Sequence, residues 1–480
     1  MNSLYITTTL PYVNSKPHIG HAFEFMLGDV LSRIFKQLLG KDNVFFNVGL
    51  DEHGIKVLEK AQELGLTPEQ HVNNMTVVWK DFCKLYNIEY DNFYKTSEPK
   101  HHAQSSFFWL KLLQKGDIYK KSYAGKYCIG CESFKQDKEL VNGKCPDHST
   151  TELISIEEEN WFFRLSSYKN EIIEYVESHP EFITPKSKVE ELKNLIKDSE
   201  DISISRLKKN VPWGVEVPND SEQVMYVWFE ALCNYLFSCG YYDDREKFNK
   251  FWNNTVQICG PDNLRFQALI FQTFLASAGI KKTEKLLVHG TILDDKGNKQ
   301  SKTMGNVVDP VEQVEKFSLD AVRYYAIAGL NTYSNSSWSE TELKDLYNAH
   351  LANNFGNLIS RGLHLIDLKS IDVTHGPSEK FKNTIDDDIQ VVRELWRVYS
   401  IKDAYTQLNS IVNYGNKYFN DSEPWKEGYP SYYYVEVLNN IYYLLNEVTE
   451  LYYPVIPNRY EEIKKCLLEK KKVVLFPRMK

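Results

Sequence analysis

The chain has 480 residues, 42% hydrophobic and 25% charged, with a formal net charge of −8. That length is too great for one core and predicts about two to four domains, while the acidic balance excludes a generic polyanion binder but not a selective RNA enzyme with local basic patches. MNSLYITTTL lacks the basic and apolar regions of a secretory signal, and no apolar run reaches the roughly 18 residues that span a bilayer, so the chain reads as cytosolic with no membrane partner.

In chain order, Leu4 to Leu10 (LYITTTL) predicts a strand rich in β-branched residues. Ile19, Phe23, Leu27, Val30, Leu31, Ile34, Phe35 and Leu38 then recur at helical spacing, with Gly40 as the stop. VFFNV (44–48) predicts a second strand, which runs into GLDEHG and another helical pattern. Strand, helix, strand, helix opens a parallel α/β sheet of Rossmann-like type. The alternation breaks between about residues 115 and 225, as an insertion would make it break. Strands return at VQICG (256–260) and KLLVHG (285–290), with a helical pattern around Phe266 to Ala278 between them. From about residue 340 helical patterns dominate, NTIDDDIQVVRELWRVYS and VEVLNNIYYLLNEVTELYY being the clearest.

Two motifs carry chemistry. His18, Gly20 and His21 stand where a helix begins, and a helix N-terminus offers unsatisfied N–H groups and partial positive charge to a phosphate. Gly20 permits close approach of a nucleotide, and the imidazoles supply further donors for charge developing at phosphorus. Alone, the pair reads equally as two surface histidines. DDKGNKQSKTMGN (294–306) carries Lys299 and Lys302 in a Gly/Asn/Ser loop, able to close over a triphosphate, although a lone lysine-rich loop is usually just solvated.

Cys128, Cys131, Cys145 and His148 form CxxC and CxxH pairs with thirteen residues between them, the spacing of a tetrahedral structural zinc knuckle; four unligated residues are the alternative. In the helical region Asn357 and Arg361 lie four apart, hence on one helix face, and Trp425 follows a proline. An amide and a guanidinium can read the edges of unstacked bases, and an indole can stack on them, but each residue alone reads as packing or surface.

Together, His-Ile-Gly-His after a first strand and KQSKT after a late one resemble the two signatures of class I aminoacyl-tRNA synthetases, with Gln300 and Thr303 departing from the second signature. TLPYVNSKPHIGH, GLDEHG, DISISR (201–206), VPWG (211–214), YVWFEA (226–231), KQSKTMGNVVDP and LFPR (475–478) extend the resemblance, over nearly the whole chain, to methionyl-tRNA synthetases.

The resemblance implies methionine activation by ATP to methionyl-adenylate, then transfer to tRNA(Met), with magnesium on the phosphates and structural zinc. His18, His21, Lys299 and Lys302 are its catalytic residues. ATP-binding falls to Gly20, Gly260, Asp262, His289 and Gly290 besides the histidines and Lys302. The amino-acid pocket comprises Leu10, Tyr12, Trp228, Ala231, Leu232, Tyr235 and Gln267, with Asp51 on the α-ammonium; YVWFEALCNYLF read alone is plain helix core. Asn357, Arg361 and Trp425 take the CAU anticodon. One block, GPDNLRFQALIFQ (260–272), departs from the family: Pro261, Gln267 and Phe271 replace a lysine, a histidine and a tryptophan, and Asn263 replaces an aliphatic residue. That leaves two rivals, a tRNA-binding paralogue without efficient methionine activation and a synthetase for another amino acid.

The expected layout is a Rossmann-like catalytic domain in two halves (1–115 and 226–340), a zinc-knuckle insertion (116–225) and an α-helical anticodon-binding domain (341–480). No appended module follows LFPRMK, which predicts a monomer.

Overall fold

Leu4–Thr8 is the strand on which the first part of the chain is built, and every residue of LYITT is buried. A strand with both faces covered must be apolar or β-branched throughout, which is why alternation is missing from its sequence. In the computed structural model, which describes residues 2–129, 133–135, 140–146, 152–300, 305–471 and 474–480, this strand sits inside a six-stranded sheet. The order across the sheet is Asn92–Lys95, Val44–Leu50, Leu4–Thr8, Thr255–Cys259, Lys285–Val288 and Ile183–Thr184, with every neighbouring pair parallel. Ile6 is in register with Phe46 on one side and Val256 on the other. Four expected strands therefore form, each ending within two residues of its expected limit. The last strand, Ile183–Thr184, comes from inside the stretch 116–225; it was not legible because two residues carry no periodicity.

Two compact units divide the chain, one of residues 1–16, 39–81 and 90–288, the other of 17–38, 82–89 and 289–480. The first holds the parallel sheet and a continuous core that includes Tyr5, Trp109, Phe163, Phe229, Leu236 and Phe274. It also holds an antiparallel sheet in which Ile118–Cys128 pairs with Ser133–Lys135 and Ile154–Phe163. Gly49 shows how closely the parallel strands approach: a Cβ there would overlap the Tyr94 carbonyl. Because that obstacle is backbone, Gly49→Ala is expected to lower the unfolding free energy by about 1–3 kcal/mol, read from urea denaturation.

The second unit is mainly helical. Its helix Ile19–Leu39 ends at Gly40, where φ is 91°, as the sequence predicts. Asp29 on this helix is fully buried and accepts from Arg33 at 2.8 Å and from the fully buried Arg323 at 2.6 Å. Arg323 also donates to the Tyr86 and Pro454 carbonyls, both at 2.8 Å, so no charge in the cluster lacks hydrogen bonds. Further along, Gly356–Leu368, Glu379–Arg397, Ile401–Ser422 and Ser431–Tyr452 pack with their apolar faces inward. Gly362 and Gly415 allow close helix contact: Cβ atoms there would stand 3.0 Å from Ile441 and 2.8 Å from Leu444. No helix among the described residues is long and apolar enough to cross a membrane.

Candidate active site

Strand order reverses between Leu4–Thr8 and Thr255–Cys259, and in open α/β sheets ligands gather beyond the carboxyl ends of the strands at that switch point. The segments leaving those ends in the first unit carry Leu10 and Tyr12, then Asp51, and then Gly260 and Asp262. Tyr12 and Asp51 face each other in a parallel bridge, with the Asp51 N–H donating to Pro11 at 3.0 Å and the Val13 N–H to Asp51 at 3.3 Å.

Helix Val227–Ser238 adds an aromatic wall. Trp228 meets the Tyr12 ring edge-on at 5.8 Å and stacks on Phe266 at 3.9 Å. Ala231 packs with Tyr226, Val227, Tyr12 and Trp228, whereas Leu232 and Tyr235 join the main core. Gln267 lies on a π-helical turn, Arg265–Ile270, that opens the expected helix before Phe271–Ala278 continues it. Its amide nitrogen donates to Thr9 and to the Tyr235 hydroxyl, both at 3.1 Å, while its carbonyl oxygen is buried with no partner among the described residues. Phe271 is buried and meets Tyr235 edge-on at 5.4 Å.

A network the sequence reading missed supports the Asp51 loop. Glu230 is fully buried, one oxygen 2.9 Å from His53 Nδ1 and the other 2.5 Å from His101 Nε2. Burial would raise its pKa, but His53 and then His101 outweigh that and hold the carboxyl well below the usual range. His102, 3.3 Å from His53, is pushed down to about 4 by burial and by the neighbouring imidazoles. Between Asp51 and His53, buried Glu52 accepts from Thr76 at 3.1 Å and Ser97 at 2.5 Å, and its carbonyl accepts the Trp213 indole N–H at 2.6 Å. The signal was available: Glu230 is a lone carboxylate in the apolar run YVWFEALCNYLF, and a buried charge needs partners.

In the second unit the opening histidines are half-buried and stacked on each other, ring centroids 3.7 Å apart. His18 Nδ1 accepts the Gly20 N–H at 3.1 Å, and His21 Nδ1 accepts the His18 N–H at 3.3 Å. A neutral imidazole whose Nδ1 accepts carries its proton on Nε2, so both rings are set as Nε2–H donors. Glu24, one turn later, binds His289 Nε2 at 3.0 Å, and His289 meets Phe23 edge-on at 5.4 Å. The next residue, Gly290, has no room for a Cβ against the Ser334 backbone. The helix of the first motif is thereby tied to the segment that leads to the lysine loop.

Within that loop Asp294 accepts from the Lys296 and Asn298 N–H groups at 3.0 and 2.7 Å and from the Asn306 amide at 2.7 Å. These bonds, that from Asn306 foremost, depress its pKa to about 2. Lys299 pairs with Leu293 in a bridge, and Gln300 accepts the Val308 N–H at 2.8 Å. Lys302 and Thr303 lie outside the described residues.

Of the four expected metal ligands, Cys128 ends the strand Ile118–Cys128, and it and Cys145 are fully buried; Cys131 and His148 lie outside the described residues. Val141 and Lys144 exchange both backbone hydrogen bonds, at 2.9 and 3.1 Å, around Asn142 and Gly143 at φ 52° and 76°. This tight hairpin delivers Cys145. Cys128 at a strand end and Cys145 after a hairpin turn are thiols of the kind the knuckle's donor set needs, and among the described residues no group of three or more His, Cys, Asp or Glu is placed to hold a metal.

On Gly356–Leu368, Asn357 is exposed and Arg361 half-buried. The Arg361 guanidinium lies 4.8 Å from the Phe419 ring centre and 5.3 Å from that of Trp425, and donates to Asn420 at 2.8 Å. The structure thus brings Arg361 and Trp425 together.

The sheet order, the helix-borne histidines and the following helical bundle are those of a class I tRNA synthetase. The family model described as tRNA synthetases class I (M) matches residues 4–155 and 149–363. A methionine–tRNA ligase of Caldanaerobacter subterraneus is 37% identical over 88% of this chain and 67% of its own length. That of a Nostoc species is 35% identical over 94% of this chain and 87% of its own. The Mycobacterium tuberculosis methionyl-tRNA synthetase in complex with methionyl-adenylate superposes with a TM-score of 0.88 at 31% identity, covering 97% of this chain and 93% of that one. The chain belongs to the methionyl-tRNA synthetase family.

Proposed function

We propose that this chain activates methionine with ATP and transfers it to tRNA(Met) in the cytosol, acting as a monomer. The observation that carries this reading is the Glu24–His289 contact, which joins the histidine-bearing helix to the segment that runs into the lysine loop. The methionine carboxylate attacks the α-phosphorus, pyrophosphate leaves, and the terminal ribose of tRNA then takes the methionyl group. Positioning and charge stabilisation carry the first step, and no covalent enzyme intermediate is needed. His18 and His21 donate from Nε2 to phosphate oxygens, and Lys299 and Lys302 neutralise the departing pyrophosphate. Magnesium enters with the triphosphate as part of the substrate. Gly20 and Gly260 keep backbone clear for the nucleotide, Asp262 takes the ribose, and His289 and Gly290 border the adenine.

Asp51 holds the α-ammonium, a charge-assisted contact common to all amino acids. Selection therefore falls to Leu10, Tyr12, Trp228, Ala231, Leu232, Tyr235 and Gln267, whose aromatic and small surfaces suit a soft, polarisable thioether. Asn357 and Arg361 read base edges of the CAU anticodon while Trp425 stacks on one of the bases. The deciding experiment is ATP–pyrophosphate exchange across a panel of amino acids. Methionine is expected to support the fastest exchange; faster exchange with another amino acid, or none with any, overturns the reading.

Cys128, Cys131, Cys145 and His148 would hold zinc, which as a closed four-ligand ion supplies folding energy and no reaction step. Purified protein is expected to contain about one zinc per chain, and Cys128→Ser to lose it along with several degrees of melting temperature. Metal analysis that finds no zinc in the parent chain would refute the assignment.

A further inference from the structure

Between the helices Ile401–Ser422 and Ser431–Tyr452 runs a loop that carries Trp425 and Tyr429, and Tyr433 and Tyr434 stand in the first turn of the second helix. Trp425 is 43% exposed, and four residues later Tyr429 is 39% exposed. The Tyr429 ring lies on that of Tyr433, centroids 4.5 Å apart and planes 30° from parallel. Tyr433 is itself anchored, its hydroxyl donating to the Ser422 carbonyl at 2.8 Å. The Tyr434 hydroxyl donates to the Lys426 carbonyl at 2.5 Å and accepts the Tyr429 N–H at 3.3 Å. Over the Tyr434 ring stands the Lys369 ammonium, 4.0 Å from the ring centre.

One face of Tyr429 is therefore backed by a second ring, and its backbone is pinned by the hydroxyl of a third. Little side-chain freedom is left to lose when a partner lies on the other face, so the cost of ordering on binding is small. A flat, pre-set ring whose neighbour Tyr434 carries the Lys369 ammonium over it suits a nucleobase, since every base offers a π-face and its phosphate meets the positive charge. The carboxylate of Glu423, which would otherwise repel that phosphate, is paired with Lys426 at 2.5 Å.

We propose that Tyr429, backed by Tyr433, is a second stacking platform, besides Trp425, for an unpaired base of the tRNA anticodon loop outside the three anticodon bases. The inference rests on the anticodon role given above to Asn357, Arg361 and Trp425. Its test is fluorescence anisotropy of the full chain with a labelled hairpin RNA comprising the anticodon stem and a loop containing CAU. Tyr429→Ala is expected to weaken binding about tenfold, the loss of one base–aromatic stack, and Tyr429→Phe to bind as the parent does. The loss should vanish on a hairpin whose loop carries abasic sites everywhere except CAU, whereas Trp425→Ala should weaken both hairpins. Tyr429→Leu, which keeps apolar cover over Tyr433, guards against a loosened loop, and circular dichroism melting checks each variant's fold. Parent-like binding by both Tyr429→Ala and Tyr429→Leu, with Trp425→Ala still weakened, overturns the platform and leaves the anticodon reading standing. So does a loss that persists undiminished on the abasic hairpin. If Trp425→Ala also binds like the parent, the anticodon reading falls with it.

Discussion

Replacing Lys302 by alanine is expected to slow methionyl-adenylate formation about 10²–10³-fold while leaving tRNA affinity nearly unchanged. The reason is where the charge goes. As the bond from the α-phosphorus to the leaving oxygen breaks, negative charge grows on pyrophosphate, and an ammonium held there stabilises the transition state more than the ground state. Losing it should therefore lower the exchange rate far more than it raises the KM for ATP. The tRNA anticodon, by contrast, is read in the proposed scheme by Asn357, Arg361 and Trp425, which the substitution does not touch. Single-turnover adenylate formation and equilibrium binding of tRNA separate the two quantities. Equal loss of both would show that the lysine supports the fold of the loop, or binds tRNA, and does not act on pyrophosphate. Lys299→Ala is the companion experiment, and Asn306→Ala asks whether the Asp294 turn sets the loop, since the Asn306 amide binds Asp294 at 2.7 Å.

Glu230→Leu is expected to destabilise the chain by about 3–5 kcal/mol at neutral pH, the range for breaking a buried ion pair by removing one partner. His53 and His101 would keep their place in the core and lose the acceptor that both share. Activity should fall as well, because His53 is two residues from Asp51 and its N–H lies 3.4 Å from the Asp51 carboxylate. The pH dependence has a defined sign. Glu230 is held below its ordinary value in the folded state, so its stabilisation is complete above the unfolded-state pKa of about 4.3 and is lost as pH falls toward the folded value of about 2. Urea denaturation of the parent should show that acid-dependent loss, and Glu230→Leu should show less of it. Equal unfolding free energies at pH 7 would falsify the claim that this carboxylate organises the loop.

Read along the chain, the motifs and the order of elements were legible early because both are local. Buried parallel strands must be apolar on both faces, so LYITT, VFFNV, VQIC and KLLV announce themselves, and helices with one buried face repeat at their own period. The two signatures and their order marked the family, since His18, His21, Lys299 and Lys302 lie in short blocks. Nothing local could reveal that Ile183–Thr184 closes the edge of the main sheet, because a strand that short is defined only by its partner, Lys285–Val288. Nor could sequence tell that His18 and His21 would have their Nδ1 atoms occupied by backbone N–H groups, which fixes where each ring carries its proton.

The partners of Glu230 were equally out of reach: His53 lies 177 positions away and His101 129. A buried charge shows in sequence only as an exception to an apolar pattern, and which distant groups neutralise it depends on how strands and helices stack. The sequence by itself determined which chemical groups this protein possesses and the order in which secondary structure presents them. Tertiary structure alone decided which of those groups meet, because burial turns long-range neighbours into obligatory hydrogen-bond and ion-pair partners that no local spacing encodes.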